Sequence, residues 1–138
     1  MCGCGFVASF VLVRALVRDD TAQSARAEAL LSGHKIYIRV TVMLELEWVL
    51  RLRYTFKPKV IAQAITGIAA LGNVVLGERA AVLVAAAKSA QGWDFADALH
   101  HALSEGCDDF VTLDADLVKR SVGSEAVATK IAPEIFKL

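Results

Sequence analysis

Acidic side chains recur at positions where a parallel β-sheet would bring them together. Glu45 lies near the start of an apolar helix that follows a predicted strand, and Asp114 directly follows another predicted strand. Because the carboxyl ends of parallel strands share one edge of a sheet, both acids are expected at that edge. Asp94 and Asp97 are spaced to share one face of a further helix. The sequence therefore predicts a cluster of carboxylates built from distant segments.

Such a cluster has a definite chemistry. Carboxylates held close together repel each other, and this raises their pKa values unless a cation lies among them. An all-oxygen donor set favours Mg²⁺ or Mn²⁺, and either ion activates water and stabilises the charge that develops on a phosphodiester. The alternative role for Asp94 and Asp114 is helix capping, whereas Glu45 lies between Leu44 and Leu46 and no cap explains it. The pattern suggests metal-dependent phosphodiester hydrolysis.

Histidines and cysteines offer weaker alternatives. His100 and His101 are expected to be one packed and one exposed residue rather than metal ligands. Cys2 and Cys4 form only a C-x-C pair and Cys107 is remote, so a zinc site is disfavoured. An odd number of cysteines without a disulfide pattern indicates a reducing compartment.

Composition limits the classes of protein to which the chain can belong. With 138 residues, of which 56% are hydrophobic, the chain is expected to fold as one domain spanning residues 1–138. Its 15 basic residues balance 15 acidic ones, so RNA binding would depend on a local patch or a metal. The apolar stretch near the start contains Arg14 and is too short to cross a bilayer. We expect a cytoplasmic protein without a membrane partner.

Predicted strands and helices alternate along the chain. Strands are predicted at residues 6–9, 35–40, 73–76, 110–113 and 126–131, and helices at 11–17, 21–33, 41–53, 57–71, 78–90, 94–104 and 114–121. This alternation predicts an α/β fold with a parallel sheet covered by helices on both faces.

The helices at residues 41–53 and 57–71 are expected to form a hairpin with more apolar surface than one sheet face needs. We interpret the excess as a contact with a second subunit or with a partner protein, with Trp48 and Tyr54 as its anchors. Local basic groups could flank the acids and hold RNA phosphates, and Arg14 belongs to one of them. Ordinary solvated helix faces are the alternative interpretation of these charges.

Four blocks of sequence follow one another in a specific order: VLVRALVRDD at residues 11–20, VTVMLELEWVL at 40–50, DFADALH at 94–100 and FVTLDADL at 110–117. Together they resemble the PIN-domain family, and within it the VapC-type ribonuclease toxins of toxin-antitoxin pairs. The resemblance implies a PIN-like three-layer α/β/α sandwich with a five-stranded parallel sheet. It also implies a homodimer that binds Mg²⁺ or Mn²⁺, cleaves RNA, and is silenced by a cognate VapB-like antitoxin.

The resemblance extends to individual positions. It implies that three acids bind the metal and act in catalysis: Glu45, Asp97 and Asp114. It implies two accessory metal-binding acids, Asp94 and Asp116. Ser9 and Thr112 are implied to line the site.

The chain departs from the family at the first strand. The family has Asp-Thr-Asn or a similar triplet there, whereas this chain has Ala8, Ser9 and Phe10. The first metal-binding Asp is therefore absent, and Asp19 and Asp20 are poorly placed to replace it. The sequence predicts a metal-dependent endoribonuclease that is impaired by Ala8. The alternatives are a catalytically silent PIN module that dimerises and binds an antitoxin or RNA without cleavage, and a doubly wound binding protein of other function.

Overall fold

The computed structural model describes residues 5–122 and 128–131 of the chain. In chain order the elements are β1 (Gly5–Phe6), α1 (Ser9–Val17), α2 (Thr21–Gly33), β2 (Ile36–Ile38), α3 (Val40–Leu52), α4 (Pro58–Ala69), β3 (Val74–Leu76), α5 (Arg79–Ala90), α6 (Phe95–Leu103), β4 (Asp109–Thr112), α7 (Ala115–Ser121) and β5 (Ala128–Ile131). Each predicted strand and helix has a counterpart among them.

The strands do not form one sheet. β1, β2 and β3 form a three-stranded parallel sheet in that order, in which Ile36 pairs with Gly5 on one side and Val74 on the other. β4 and β5 form a separate parallel pair, with Asp109 opposite Ala128. The predicted PIN-like three-layer α/β/α sandwich with a five-stranded parallel sheet is therefore wrong.

Short strands and extensive helix packing explain the difference. β1 has 2 residues and β2 and β3 have 3 each, so the central sheet offers little surface for further strands or for two complete helical layers. All 4 positions of β4 are only half-buried, whereas a central strand covered on both faces is buried throughout. The described part of the chain is consequently mostly helical, and the second strand pair lies outside the three-stranded sheet.

The core is one cluster of buried apolar side chains between the helices and the three-stranded sheet. Helix α3 contributes Met43, Leu46 and Leu50, whose spacing of three and four residues places them on one face. Each such side chain contributes about 2 kcal/mol by leaving water. Burial of this face fixes the rotation of α3 about its axis and leaves Glu45 and Trp48 exposed on the other side.

Aspartate side chains cap three of the helices. The Asp94 Oδ2 atom accepts a hydrogen bond from the Asp97 N–H at 3.0 Å, and Asp114 Oδ1 accepts one from the Asp116 N–H at 2.9 Å. Asp20 caps α2 in the same way. Such a cap stabilises a helix by about 1 kcal/mol. Helix capping, the alternative role stated for Asp94 and Asp114, is confirmed, and the caps fix where α6 and α7 begin.

The histidines, the cysteines and the absence of a predicted membrane span can be compared with the structure in the same way. His101 is buried and His100 is exposed, as predicted. Cys107 is an exposed free thiol, whereas Cys2 and Cys4 lie outside the described residues. No helix in the described ranges has both the length and the hydropathy that crossing a membrane requires.

Candidate acidic site

Asp94, Asp97 and Asp114 form what we call the acidic centre. Asp94 is the N-cap of α6, Asp97 lies in the first turn of that helix, and Asp114 is the N-cap of α7. Partial burial raises the pKa of Asp97 above its usual value, and the negative charges of Asp94 and Asp114 raise it further. The two helix starts therefore bring the negative charges of Asp94 and Asp114 within electrostatic reach of Asp97.

Two further side chains act in the opposite direction. His100 and Arg120 lower the pKa of Asp97, but they do so more weakly than burial and the two carboxylates raise it. Arg120 also donates a hydrogen bond from Nη1 to the carbonyl of Gly92 at 2.9 Å, which ties α7 to the loop before α6. Arg120 was not among the predicted site residues. The available signal was its position four residues after Asp116 on one helix, a spacing typical of opposite charges.

Glu45 is held by the start of α1. The hydroxyl of Ser9, which is buried, donates a hydrogen bond to Glu45 Oε1. This bond joins residues 36 positions apart in the sequence, and it orients a carboxylate that is otherwise exposed. Glu47 is buried on the other side of α3, because residues two apart on a helix lie on opposite faces.

A groove of about 620 Å³ lies beside Glu45. It runs along α3 and is bordered by the starts of α1 and α6; we call it the aromatic groove, and its main side chains are Phe10, Glu45, Trp48, Arg51, Arg53 and Ala96. Because Ala96 directly precedes Asp97, the groove reaches the helix start that carries two members of the acidic centre.

Arg51 connects the groove with the acidic centre. Its Nε atom donates to Glu47 Oε1 at 2.7 Å, an ion pair between residues four apart on α3. This hydrogen bond is the main cause that raises the pKa of Arg51, and the negative charge of Asp94 contributes as well. The guanidinium therefore lies within electrostatic reach of Asp94 while it also lines the groove.

The remaining predicted site residues are placed differently from one another. Thr112 Oγ1 accepts a hydrogen bond from the Asp114 N–H at 3.1 Å, so this hydroxyl positions the acidic centre. Asp116 is exposed in the first turn of α7. Arg14 donates to Asp19 at 2.7 Å and lines a separate pocket against α2. Tyr54, a predicted anchor, donates its hydroxyl to the same Asp19 at 3.2 Å.

The acidic centre suits Mg²⁺ or Mn²⁺ in the kind of donor and in charge. All its donors are carboxylate oxygens, and their mutual repulsion is relieved by a cation. In residues 5–122 and 128–131, however, no three His, Cys, Asp or Glu side chains are gathered as a group that could hold a metal ion. The residues therefore fit the ion in donor type and charge, whereas the described residues do not present a preformed metal-binding geometry. Convergence of Glu45 with Asp97 and Asp114 on one ion stays a prediction.

Comparisons with known proteins assign no family to the chain. A scan against protein-family models finds no match, and searches of curated proteins and of solved structures find no significant match. The resemblance to VapC-type toxins therefore stays a prediction from sequence.

Proposed function

We propose that the acidic centre serves a divalent-metal-dependent endoribonuclease of the VapC kind, weakened by the absence of a carboxylate at Ala8. The supporting observation is the perturbed Asp97, whose pKa is raised by burial and by the charges of Asp94 and Asp114. Groups with pKa values shifted by such neighbours concentrate at functional sites. The four sequence blocks described above supply the expectation that the substrate is RNA.

Asp94, Asp97 and Asp114 are the residues that would hold Mg²⁺ or Mn²⁺, with Glu45 and Asp116 as further oxygen donors. When bound, such an ion supplies an activated water and neutralises charge on the phosphodiester. In the described part of the chain no three of these side chains are gathered as a group that could hold the ion, so the proposal requires them to converge when the ion binds.

The protein side chains around the centre have separate tasks in this proposal. Asp97 is the carboxyl whose pKa is raised, so it holds a proton more readily than an ordinary aspartate. Thr112 orients Asp114 through the backbone N–H of Asp114. Arg120 reduces the net negative charge at Asp97, and this lowers the electrostatic barrier that an approaching phosphate must overcome.

A catalytically silent module is the second candidate, and specific contacts favour it. Ser9 donates a hydrogen bond to Glu45, and Asp94 and Asp114 cap helices. None of these contacts requires a cation. A chain with these contacts could dimerise and bind RNA or an antitoxin without cutting RNA. In that case no Mn²⁺ concentration would produce cleavage.

RNA cleavage in Mn²⁺ separates the two candidates. We expect weak cleavage of a structured RNA by the native chain and its complete loss in Asp97→Asn. Asp108→Asn is the matched control, because it makes the same substitution at an exposed aspartate that precedes β4 and lies outside the acidic centre. Cleavage that survives Asp97→Asn would refute the proposal, and an inactive native chain that still binds RNA would establish the silent module.

A further inference from the structure

Two aromatic side chains are exposed in the aromatic groove. Trp48 is 51% exposed and Phe10 is 54% exposed, and both line the groove. The core face of α3 is completed by Met43, Leu46 and Leu50, so Trp48 is not needed to fill it. An exposed indole and phenyl ring in one groove are typical of a surface that binds a ligand.

Two arginines give the same groove positive charge. Arg51 uses Nε for its bond to Glu47, and its terminal nitrogens lie outside that bond. Arg53, at the end of α3, is exposed. Glu45 is the acid among the described side chains that line the groove, and Ser9 already donates to it. The groove therefore combines flat aromatic surfaces with guanidinium groups that hold phosphates.

We propose that the aromatic groove is a base-stacking subsite for unpaired RNA, with one base on Trp48 and neighbouring phosphates at Arg51 and Arg53. A base must expose its face to stack on an indole, so paired RNA does not use the subsite. The groove extends to Ala96, beside Asp97, and a strand bound in it continues to the acidic centre. This inference rests on the proposed function for the identity of the ligand as RNA.

The charges favour RNA over a second copy of the chain. Each copy carries 15 basic and 15 acidic residues, so it brings no net charge to the arginines. An RNA strand brings one negative charge with each phosphate, and release of its counterions adds to the affinity. A groove of about 620 Å³ also lies in the size range of ordinary ligand sites.

Fluorescence anisotropy with a short labelled oligoribonucleotide tests the subsite, with EDTA present so that binding is measured without cleavage. We expect Trp48→Leu to weaken binding of the single strand about tenfold, and Trp48→Phe to stay within about threefold of the native chain. Binding of the corresponding duplex should not change. Leu52→Ala is the matched control, since Leu52 is 52% exposed on the same helix but does not line the groove.

Charge is tested in the same assay. Arg53→Gln should weaken binding and reduce the slope of log affinity against log salt by about one. Lys59→Gln, on α4 and in a different pocket, should leave both quantities as they are. An equal effect of the two substitutions would overturn the assignment of a phosphate contact to the groove.

The outcomes separate failure of the subsite from failure of the proposed function. Equal weakening of single-strand and duplex binding by Trp48→Leu overturns the stacking inference. The stacking inference is also overturned if Trp48→Leu changes the oligomeric state and leaves the RNA affinity unaltered. That result assigns the groove to contact with a second copy of the chain. If cleavage depends on Asp97 but Trp48→Leu leaves binding intact, hydrolysis stands and the subsite is wrong. If binding depends on Trp48 and no cleavage occurs, the subsite stands and hydrolysis is wrong.

Discussion

Substitution of Ala8 by aspartate tests the missing carboxylate directly. Ala8 is the N-cap of α1, with extended dihedral angles (φ −82°, ψ 160°) and no side chain that bonds the first turn. Aspartate or serine at this position can accept from the N–H of Phe10, which stabilises the helix by about 1 kcal/mol. For a chain of this size that corresponds to an increase in Tm of about 4 °C.

Ala8→Ser isolates this capping contribution, because serine caps the helix without adding charge. Ala8→Asp adds a carboxylate beside Ser9, whose hydroxyl already holds Glu45. Without metal we therefore expect Ala8→Asp to be stabilised less than Ala8→Ser, since the new charge repels Glu45. With Mn²⁺ at about 100 times its Kd, binding to the folded state adds about 2.7 kcal/mol. The order of the two variants should then reverse.

Differential scanning fluorimetry with and without Mn²⁺ measures the reversal, and an RNA cleavage assay accompanies it. We expect Ala8→Asp to increase Mn²⁺-dependent cleavage at least tenfold, which is about 1.4 kcal/mol in activation free energy. If both variants respond to Mn²⁺ equally, position 8 does not belong to the acidic centre. If the native chain already cuts RNA at full rate and Ala8→Asp changes nothing, the interpretation of the site is wrong.

Three further predictions concern pH, the ion pair between buried Glu47 and half-buried Arg51, and two glycines. Because the folded pKa of Asp97 lies above 3.8, the folded state binds that proton more tightly than the unfolded state. The stability that this proton contributes should be lost as the pH rises from 3.8 through the raised pKa, so Tm should fall over that range. Asp97→Asn should remove this fall from a plot of Tm against pH. Arg51→Met leaves Glu47 buried without its cation and should lower the free energy of unfolding by about 2 kcal/mol, measured by urea denaturation. This figure is reduced because Arg51 is partly exposed. Glu47→Gln should lower the free energy of unfolding by less. Gly92→Ala should destabilise the fold by roughly 1–2 kcal/mol, because Gly92 has φ +111°. Gly67→Ala should stabilise the fold by about 0.5–1 kcal/mol, because Gly67 lies inside α4 and a Cβ there meets nothing within 4 Å.

Local features of the site could be predicted from the sequence. Capping depends on a side chain and the backbone a few residues away, so Asp94 and Asp114 could be assigned as caps from their positions alone. The opposite orientations of Glu45 and Glu47 follow from helical periodicity in the same way. Local rules therefore placed the acids on the correct elements.

Non-local features could not be predicted. The alternation of strands and helices indicates parallel pairing, and both observed strand sets are parallel, but it does not specify which strands are neighbours. The bond between Ser9 and Glu45 depends on how α1 packs on α3, and the effect of Arg120 on Asp97 depends on where α7 lies relative to the start of α6. Such packing is decided by the complementarity of whole surfaces.

The separate pair of β4 and β5, with α7 between them in sequence, has a consequence for cooperativity. This segment is joined to the helical body by the edge-to-face contact of Phe110 with His101 and by the bond from Arg120 to Gly92. A half-buried strand such as β4 opens at lower free energy than a core strand, so amide hydrogens of β4 should exchange faster than those of β2. Since Asp114 belongs to this segment and Asp97 to the body, any cation held by both would fasten the two together and slow that exchange.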